Sequence, residues 1–259
     1  MVKGLYTAYT GMINEQNRMD IMTNNLANAS TVGYKKEGST SQSFDDVLTV
    51  KIKDQSVGMR NVQRLGVKNP GVKIGENYTD YSQGSFRITG NTYDLALSGE
   101  GFFAIEFTNK AGETDTKYTR AGQFTLNKDG YLVTEEGDYV LDTQNRWIRL
   151  NTLIDSSITD DGTIYQNGQA VAKIQVTDFE DYDYLEKYGE TYYQPIQGAK
   201  TIAAKAQVKS GYLEMANVQI VSEMVNLISI TRAYESNQKV VQTIDDTLDV
   251  AVNQIGRVQ

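Results

Sequence analysis

Carboxylates are the side chains in this sequence whose spacing first suggests chemistry. Asp178, Glu180, Asp181 and Asp183 gather the hard oxygen ligands that a calcium ion takes, and Glu135 with Glu136 offers the carboxylate pair of a glycosidase. Both fail on pattern. Residues 178–183 lack the Asp-x-Asp-x-Asp-Gly order of a calcium loop and read as a solvated loop, while Glu135 and Glu136 fall in a turn signal with Gly137. Asp160 and Asp161 before Gly162 likewise read as a turn. Gly99–Glu100–Gly101 resembles a nucleotide loop, but it has no third glycine and precedes a strand instead of opening a helix, so a tight turn accounts for it. Asn28–Ala29–Ser30 matches a glycosylation acceptor, a short pattern that recurs by chance.

The residue types that are missing restrict the chemistry further. With 0 cysteines there is no disulfide scaffold, thiolate metal site or cysteine nucleophile, and with 0 histidines the commonest general base near neutral pH is gone. Ser–His–Asp, Cys–His and zinc-hydrolase mechanisms are therefore excluded. No enzyme activity, no metal and no cofactor are expected. A net charge of −8 argues against nucleic acid and anionic membrane surfaces, which both need a basic footprint. No run approaches the roughly 18 apolar residues of a membrane-spanning helix, so the chain is not expected to span one. Lys3 is followed by Thr10, Asn14, Glu15, Gln16 and Asn17 instead of an apolar run, which is not a cleavable leader. The chain thus reads as cytoplasmic, or as exported by a route that needs no such leader.

What does recur is an apolar repeat of seven at both ends. Leu213, Ile220, Leu227, Tyr234, Val241, Leu248 and Ile255 keep that spacing, with Ala216, Ile230, Ile244, Ala251 and Val258 three residues later. Leu5, Met12, Met19 and Leu26 repeat it near the start, with Ala8, Met22 and Ala29 alongside and Glu15 in one seam position. A seven-residue repeat holds an apolar seam against a partner helix, so the two ends are expected to meet, within one subunit or between several. Residues 3–30 read as an amphipathic helix stopped near Gly33 in a left-handed C-cap, and 217–257 as a second helix about 60 Å long, with only Pro70 and Pro195 as breakers in the whole chain. Val218, Val221, Met224, Val225 and Ile228 widen the second helix's apolar surface beyond one seam, which predicts contacts with more than one other helix.

Between the helices lie two regions. Residues 37–78 are polar and glycine-punctuated, with Val47, Leu48, Val50 and Ile52 allowing at most short strands; they read as an extended arm that orders against neighbours. Residues 79–210 read as β-rich, with strands at Leu95–Leu97, Phe102–Phe107, Phe124–Leu126, Tyr131–Val133, Trp147–Leu150 and Val171–Val176. Asn127–Lys128–Asp129–Gly130, Glu136–Gly137–Asp138, Asp160–Asp161–Gly162 and Gln166–Asn167–Gly168 supply the turns. The fold class is α+β: discontinuous N- and C-terminal coiled-coil helices (1–36 and 211–259, packing together), the 37–78 arm and a 79–210 β-rich domain.

Several segments resemble one family. Asn24–Asn25–Leu26–Ala27–Asn28–Ala29–Ser30–Thr31–Val32–Gly33–Tyr34–Lys35 is similar to the N-terminal signature of bacterial flagellar axial proteins, the rod and hook family. Arg232–Ala233–Tyr234–Glu235–Ser236–Asn237–Gln238–Lys239, preceded by Glu223–Met224–Val225–Asn226, resembles its C-terminal signature. Asp94–Leu95–Ala96–Leu97–Ser98–Gly99–Glu100–Gly101–Phe102–Phe103, Tyr118–Thr119–Arg120–Ala121–Gly122–Gln123–Phe124, Asp129–Gly130–Tyr131–Leu132–Val133 and Ser210–Gly211–Tyr212–Leu213–Glu214 agree in the right order. Within the family, the length and the 44–78 segment look most like the distal rod type, with proximal rod relatives next and hook protein less similar.

The resemblance implies a structural subunit of the flagellar basal body that stacks helically into a hollow tube. Terminal helices would line the inside and the β domain would face outward. It implies self-association, contacts with other rod and hook proteins, passage through the flagellar export apparatus without a cleaved leader, and a part in torque transmission from motor to hook. Leu5, Met12, Met19, Asn24, Asn25, Leu26, Asn28, Gly33, Tyr34, Ile220, Met224, Leu227, Ile228, Arg232, Tyr234, Val241, Leu248 and Ile255 are the expected subunit-interface residues. Asn24, Asn25 and Asn28 are placed to bond orphan helix-end groups and the turning chain, and Arg232 to pair with Glu235 or with a neighbour's carboxylate.

Overall fold

The computed structural model describes residues 2–52, 62–109 and 112–255. They fall into two compact units, one drawn from the spans Met1–Leu26, Glu37–Asp80 and Ile220–Gln259, the other from Ala27–Lys36 and Tyr81–Gln219. The content is α+β: an N-terminal helix, a β-rich centre and a C-terminal helix. No helix among the described residues is long and apolar enough to cross a membrane.

The first unit holds helix α1 (Val2–Ala27), helix α2 (Ile220–Val250) and strands β1 (Glu37–Ser43), β2 (Val47–Ile52), β3 (Val62–Lys68) and β4 (Val72–Thr79). Both helices contain no internal proline, and α2 closes in a single π turn at Ala251–Ile255. They run antiparallel and close. A side chain at Gly4 would touch Ile244, and one at Gly11 would press within 2.9 Å of the Asn237 carboxamide, so the two glycines permit the approach. On α2 the covered positions Leu227, Ile230, Tyr234, Asn237, Val241 and Ile244 alternate in steps of four and three. In β1–β4 two antiparallel ladders are nested, β2 with β3 inside β1 with β4. Ties to α1 anchor them: Asn14 donates to the Ser41 hydroxyl at 3.1 Å and the Thr7 hydroxyl to the Pro70 carbonyl at 3.4 Å.

Three expectations change here. The first helix ends at Ala27, where Thr31 donates its amide to the Asn28 carbonyl in a turn. Gly33 does have positive φ, +70°, but it lies beyond that turn and is not the helix cap. The second helix starts at Ile220, later than expected. Residues 37–78 carry strands of 6 to 8 residues, longer than the short pieces expected. In β1 the second half is exposed, and Ser39–Thr40–Ser41 stand where apolar residues would normally mark a strand, whereas β2 keeps an apolar run.

The second unit is built on a nine-stranded sheet. Its path runs Leu185–Tyr188, Tyr192–Pro195, Thr114–Thr119, Phe102–Thr108, Tyr139–Val140, Leu132–Thr134, Phe124–Leu126; Val176–Phe179 branches from Phe102–Thr108 and pairs with Thr201–Ala203. Alternate residues of one strand feed two cores: Phe103 and Ile105 join Leu95, Leu97 and Phe124, while Phe102 and Ala104 join Tyr118, Phe179 and Tyr193. Burial on both faces is why Phe102–Ile105 reads as an unbroken apolar run. Turn chemistry holds at Asn167–Gly168, both at positive φ (54° and 77°), between Thr163–Gln166 and Gln169–Lys173. At Asn127 the side-chain carbonyl accepts from the Asp129 and Tyr131 amides at 3.0 and 2.9 Å. Two expected strands are not continuous. Trp147 and Arg149 form only isolated bridges, to Leu141 and Tyr131, and Val171–Val176 is divided because Ile174 bridges to Asp142.

Candidate functional site

Within the second unit, three charged side chains from distant motifs meet under almost complete burial. The Lys35 ammonium lies 2.6 Å from Glu214 Oε1 and donates to the Ser82 carbonyl at 2.7 Å. Arg120 Nη1 sits 3.2 Å from Glu214 Oε2, and its Nη2 donates to the Gly99 carbonyl at 2.9 Å. A backbone amide, Gly84 N, adds a third donor to Glu214 at 3.0 Å. Glu214 is 0%, Lys35 1% and Arg120 3% exposed. A carboxylate so placed needs these partners, because an unpaired charge in a dry interior is costly.

Local structure delivers each member. Gly33 donates its amide to the Glu214 carbonyl at 2.8 Å, Val32 bridges Met215, and Lys36 N donates to Asn217 Oδ1 at 2.8 Å, so residues 32–36 lie along the strand carrying Glu214. Gly33 is required there twice over: its φ is left-handed, and a Cβ would sit 2.3 Å from the Ala121 backbone nitrogen. Tyr34 is wholly buried beside it. These groups are occupied with one another, so the cluster acts as an internal tie.

The sequence-derived interface residues separate into three sets. Asn25, Asn28, Gly33 and Tyr34 are buried in the chain's own fold. Asn25 clamps the Glu37 backbone with both ends of its carboxamide, at 2.7 and 2.9 Å, and Asn28 Oδ1 accepts from the Thr31 hydroxyl at 3.1 Å. Leu5, Met12, Met19, Leu26, Leu227, Tyr234, Val241 and Leu248 are half-covered. Asn24, Ile220, Met224, Ile228 and Arg232 are exposed, and the side chain of Ile255 lies outside the described residues. Ile220, Val221, Met224, Val225 and Ile228 form one uncovered apolar face of α2, each between 50 and 77% exposed. Tyr6 and Tyr9 are uncovered on α1.

The carboxylates weighed for chemistry are otherwise engaged or solvated. Asp178 accepts from the Phe179 amide and the Tyr182 hydroxyl at 2.8 Å each, and burial first, then that bond, pushes the Tyr182 phenol well above the ordinary tyrosine range. Hydrogen bonds from Thr159 and Thr163 hold Asp161 down to about 2. Glu135 and Glu136 stand exposed on their turn. Lys35, Arg120 and Glu214 were not singled out as a set by sequence reasoning. The available signal was a charge embedded in each apolar or glycine-rich motif: Tyr34–Lys35, Arg120–Ala121–Gly122 and Leu213–Glu214.

Known proteins match the same segments. Residues 5–35 match the family described as flagella basal body rod protein, 96–170 the flagellar hook protein FlgE/F/G D1 domain, and 209–255 the flagellar basal body rod FlgEFG protein C-terminal region. The flagellar basal-body rod protein FlgG of Bacillus subtilis is 34% identical over 98% of this chain and 99% of its own length. The flagellar basal-body rod protein FlgF of Caulobacter vibrioides is 32% identical over 100% of both chains. The flagellar hook-basal body complex protein FlhO of Bacillus subtilis is 30% identical, also over 100% of both. With relatives this similar end to end, and with the tied Lys35, Arg120 and Glu214 all lying inside its signature segments, the chain belongs to the flagellar basal-body rod protein family.

Proposed function

We propose that this chain is a distal-rod subunit of the flagellar basal body, stacking with copies of itself and with other rod and hook proteins into a hollow helical tube that carries torque from motor to hook. The observation that carries this is the uncovered apolar face of α2 from Ile220 to Ile228. Five large apolar side chains on adjacent turns of one helix need cover, and copies of the same helix array supply it. The alternating four- and three-residue spacing on α2 and the glycines of α1 suit coiled-coil packing of the terminal helices. The distal assignment is supported by FlgG relatives that align over nearly their entire length. Delivery is by the flagellar export apparatus, and the role is structural, not enzymatic.

Imaging of basal bodies isolated from a strain lacking the gene tests this. The expected particle retains its inner axial segment and lacks the distal shaft and hook. A complete shaft in that strain would exclude the assignment.

A further inference from the structure

The first unit has a second uncovered apolar surface besides α2. Tyr6 of α1, Val47, Thr49 and Lys68 of the β2–β3 hairpin and Pro70 of the β3–β4 connection line a groove of about 260 Å³, and Leu48 and Val67 stand exposed on the same hairpin. The α2 face offers side chains at 220, 224 and 228, the spacing with which a helix lays itself into a groove.

Within one chain these surfaces lie apart. Gly4 opposite Ile244 and Gly11 opposite Asn237 fix an antiparallel register in which paired residue numbers sum to the same value, so residue 224 falls opposite residue 24. Tyr6 is 18 positions from there along α1, or about 27 Å at the helical rise. Lys68 lines the groove itself, and beyond it one pair of opposite charges flanks the two surfaces. Asp45 and Asp46 are exposed at the entry to β2, and Arg232, exposed and one turn beyond Ile228, meets no carboxylate among the described residues.

We propose that the Ile220–Ile228 face of one copy docks into the Tyr6–Val47–Pro70 groove of a second copy, with Arg232 reaching that copy's Asp45 and Asp46. The proposal rests on the self-assembling role above and names the two surfaces that meet. Because the two surfaces differ, each copy that docks leaves its own groove open for another, and the contact passes from copy to copy. The apolar anchors supply adhesion, and the rim charges set register.

The absence of native cysteine makes the test direct. Val47→Cys and Met224→Cys are prepared separately in the full chain, both at exposed positions, and assembled singly and mixed before treatment with a short bis-maleimide. Cross-linked dimers are expected only in the mixture, and a ladder of higher species in the assembled double variant. Polymers that form without the mixed cross-link would overturn the proposed pairing while leaving self-assembly intact. So would cross-linking by either single variant, or closure within a monomer of the double variant. A native chain that never polymerises would instead remove the self-assembly on which the pairing rests. A second arm uses charge: Arg232→Asp is expected to raise the critical concentration about tenfold, and adding Asp45→Arg and Asp46→Arg to restore it. Failure of that rescue, with polymers still forming, would displace Arg232 from the contact.

Discussion

Removing the Glu214 carboxylate leaves two cations, Lys35 and Arg120, in a space that excludes water. Truncating one member of a buried charge cluster typically costs about 3–5 kcal/mol, because the remaining charge has no exit. Glu214→Ala therefore should destabilise the second unit by about that amount. Lys35→Met should cost less, since its methylenes are replaced and Glu214 keeps Arg120 Nη1 and the Gly84 amide. Guanidinium denaturation followed at Trp147, the single tryptophan of the chain and part of the same unit, reads this ordering. Equal losses, or none, would mean that the cluster is a bystander. Sequence reasoning found all three residues only as letters of separate motifs. Their convergence was hidden because Lys35 and Glu214 are 179 positions apart, and no local periodicity marks a charge that will be buried.

At the scale of elements, local chemistry was legible and context was not. Asp-Gly and Asn-Gly turns fold as their φ preferences require, and the Phe102–Thr108 strand follows its apolar run. Trp147–Leu150 looks just as strand-like, yet its ladder is interrupted, because pairing depends on neighbours remote in sequence. In the 37–78 segment the apolar pieces at Val47, Leu48, Val50 and Ile52 suggested only short strands; β1 and its pairing with β4 were not legible, because polar residues in β1 erase the alternation that identifies strands. On α2 the repeat of seven falls on covered positions at Leu227, Tyr234, Val241 and Leu248, while Ile220, also on the repeat, stays open. Helices with large uncovered apolar faces gain much of their stability from packing. Amide exchange should therefore be fast across Ile220–Ile230 in monomeric protein and slow in assembled protein. Equal protection in both states would show that α2 needs no partner.

At the scale of the whole molecule, the two units depend on different forces, and one substitution should separate them. The second unit has two apolar cores and the buried charge tie, all supplied by residues 27–36 and 81–219. The first unit leaves the Ile220–Ile228 face and the hairpin side chains Val47, Leu48, Val50 and Val67 exposed, and the proposed assembly would cover the α2 face with other copies. Leu227 stands between these conditions: half-covered on α2, one turn before the buried Ile230 line and beside the open face. Leu227→Asp would place a carboxylate on the half-covered line of α2, where neighbouring helices are proposed to close. The expected variant stays monomeric in sedimentation at concentrations where the native chain forms polymers, while Trp147 emission and the denaturation midpoint of the second unit remain native. It should also fail to restore swimming to a strain lacking the gene. Leu227→Met, similar in volume, separates charge from shape and should assemble normally. Polymerisation of the aspartate variant would remove this stretch of α2 from the assembly contact, and collapse of the second unit with it would show that the two units do not fold independently.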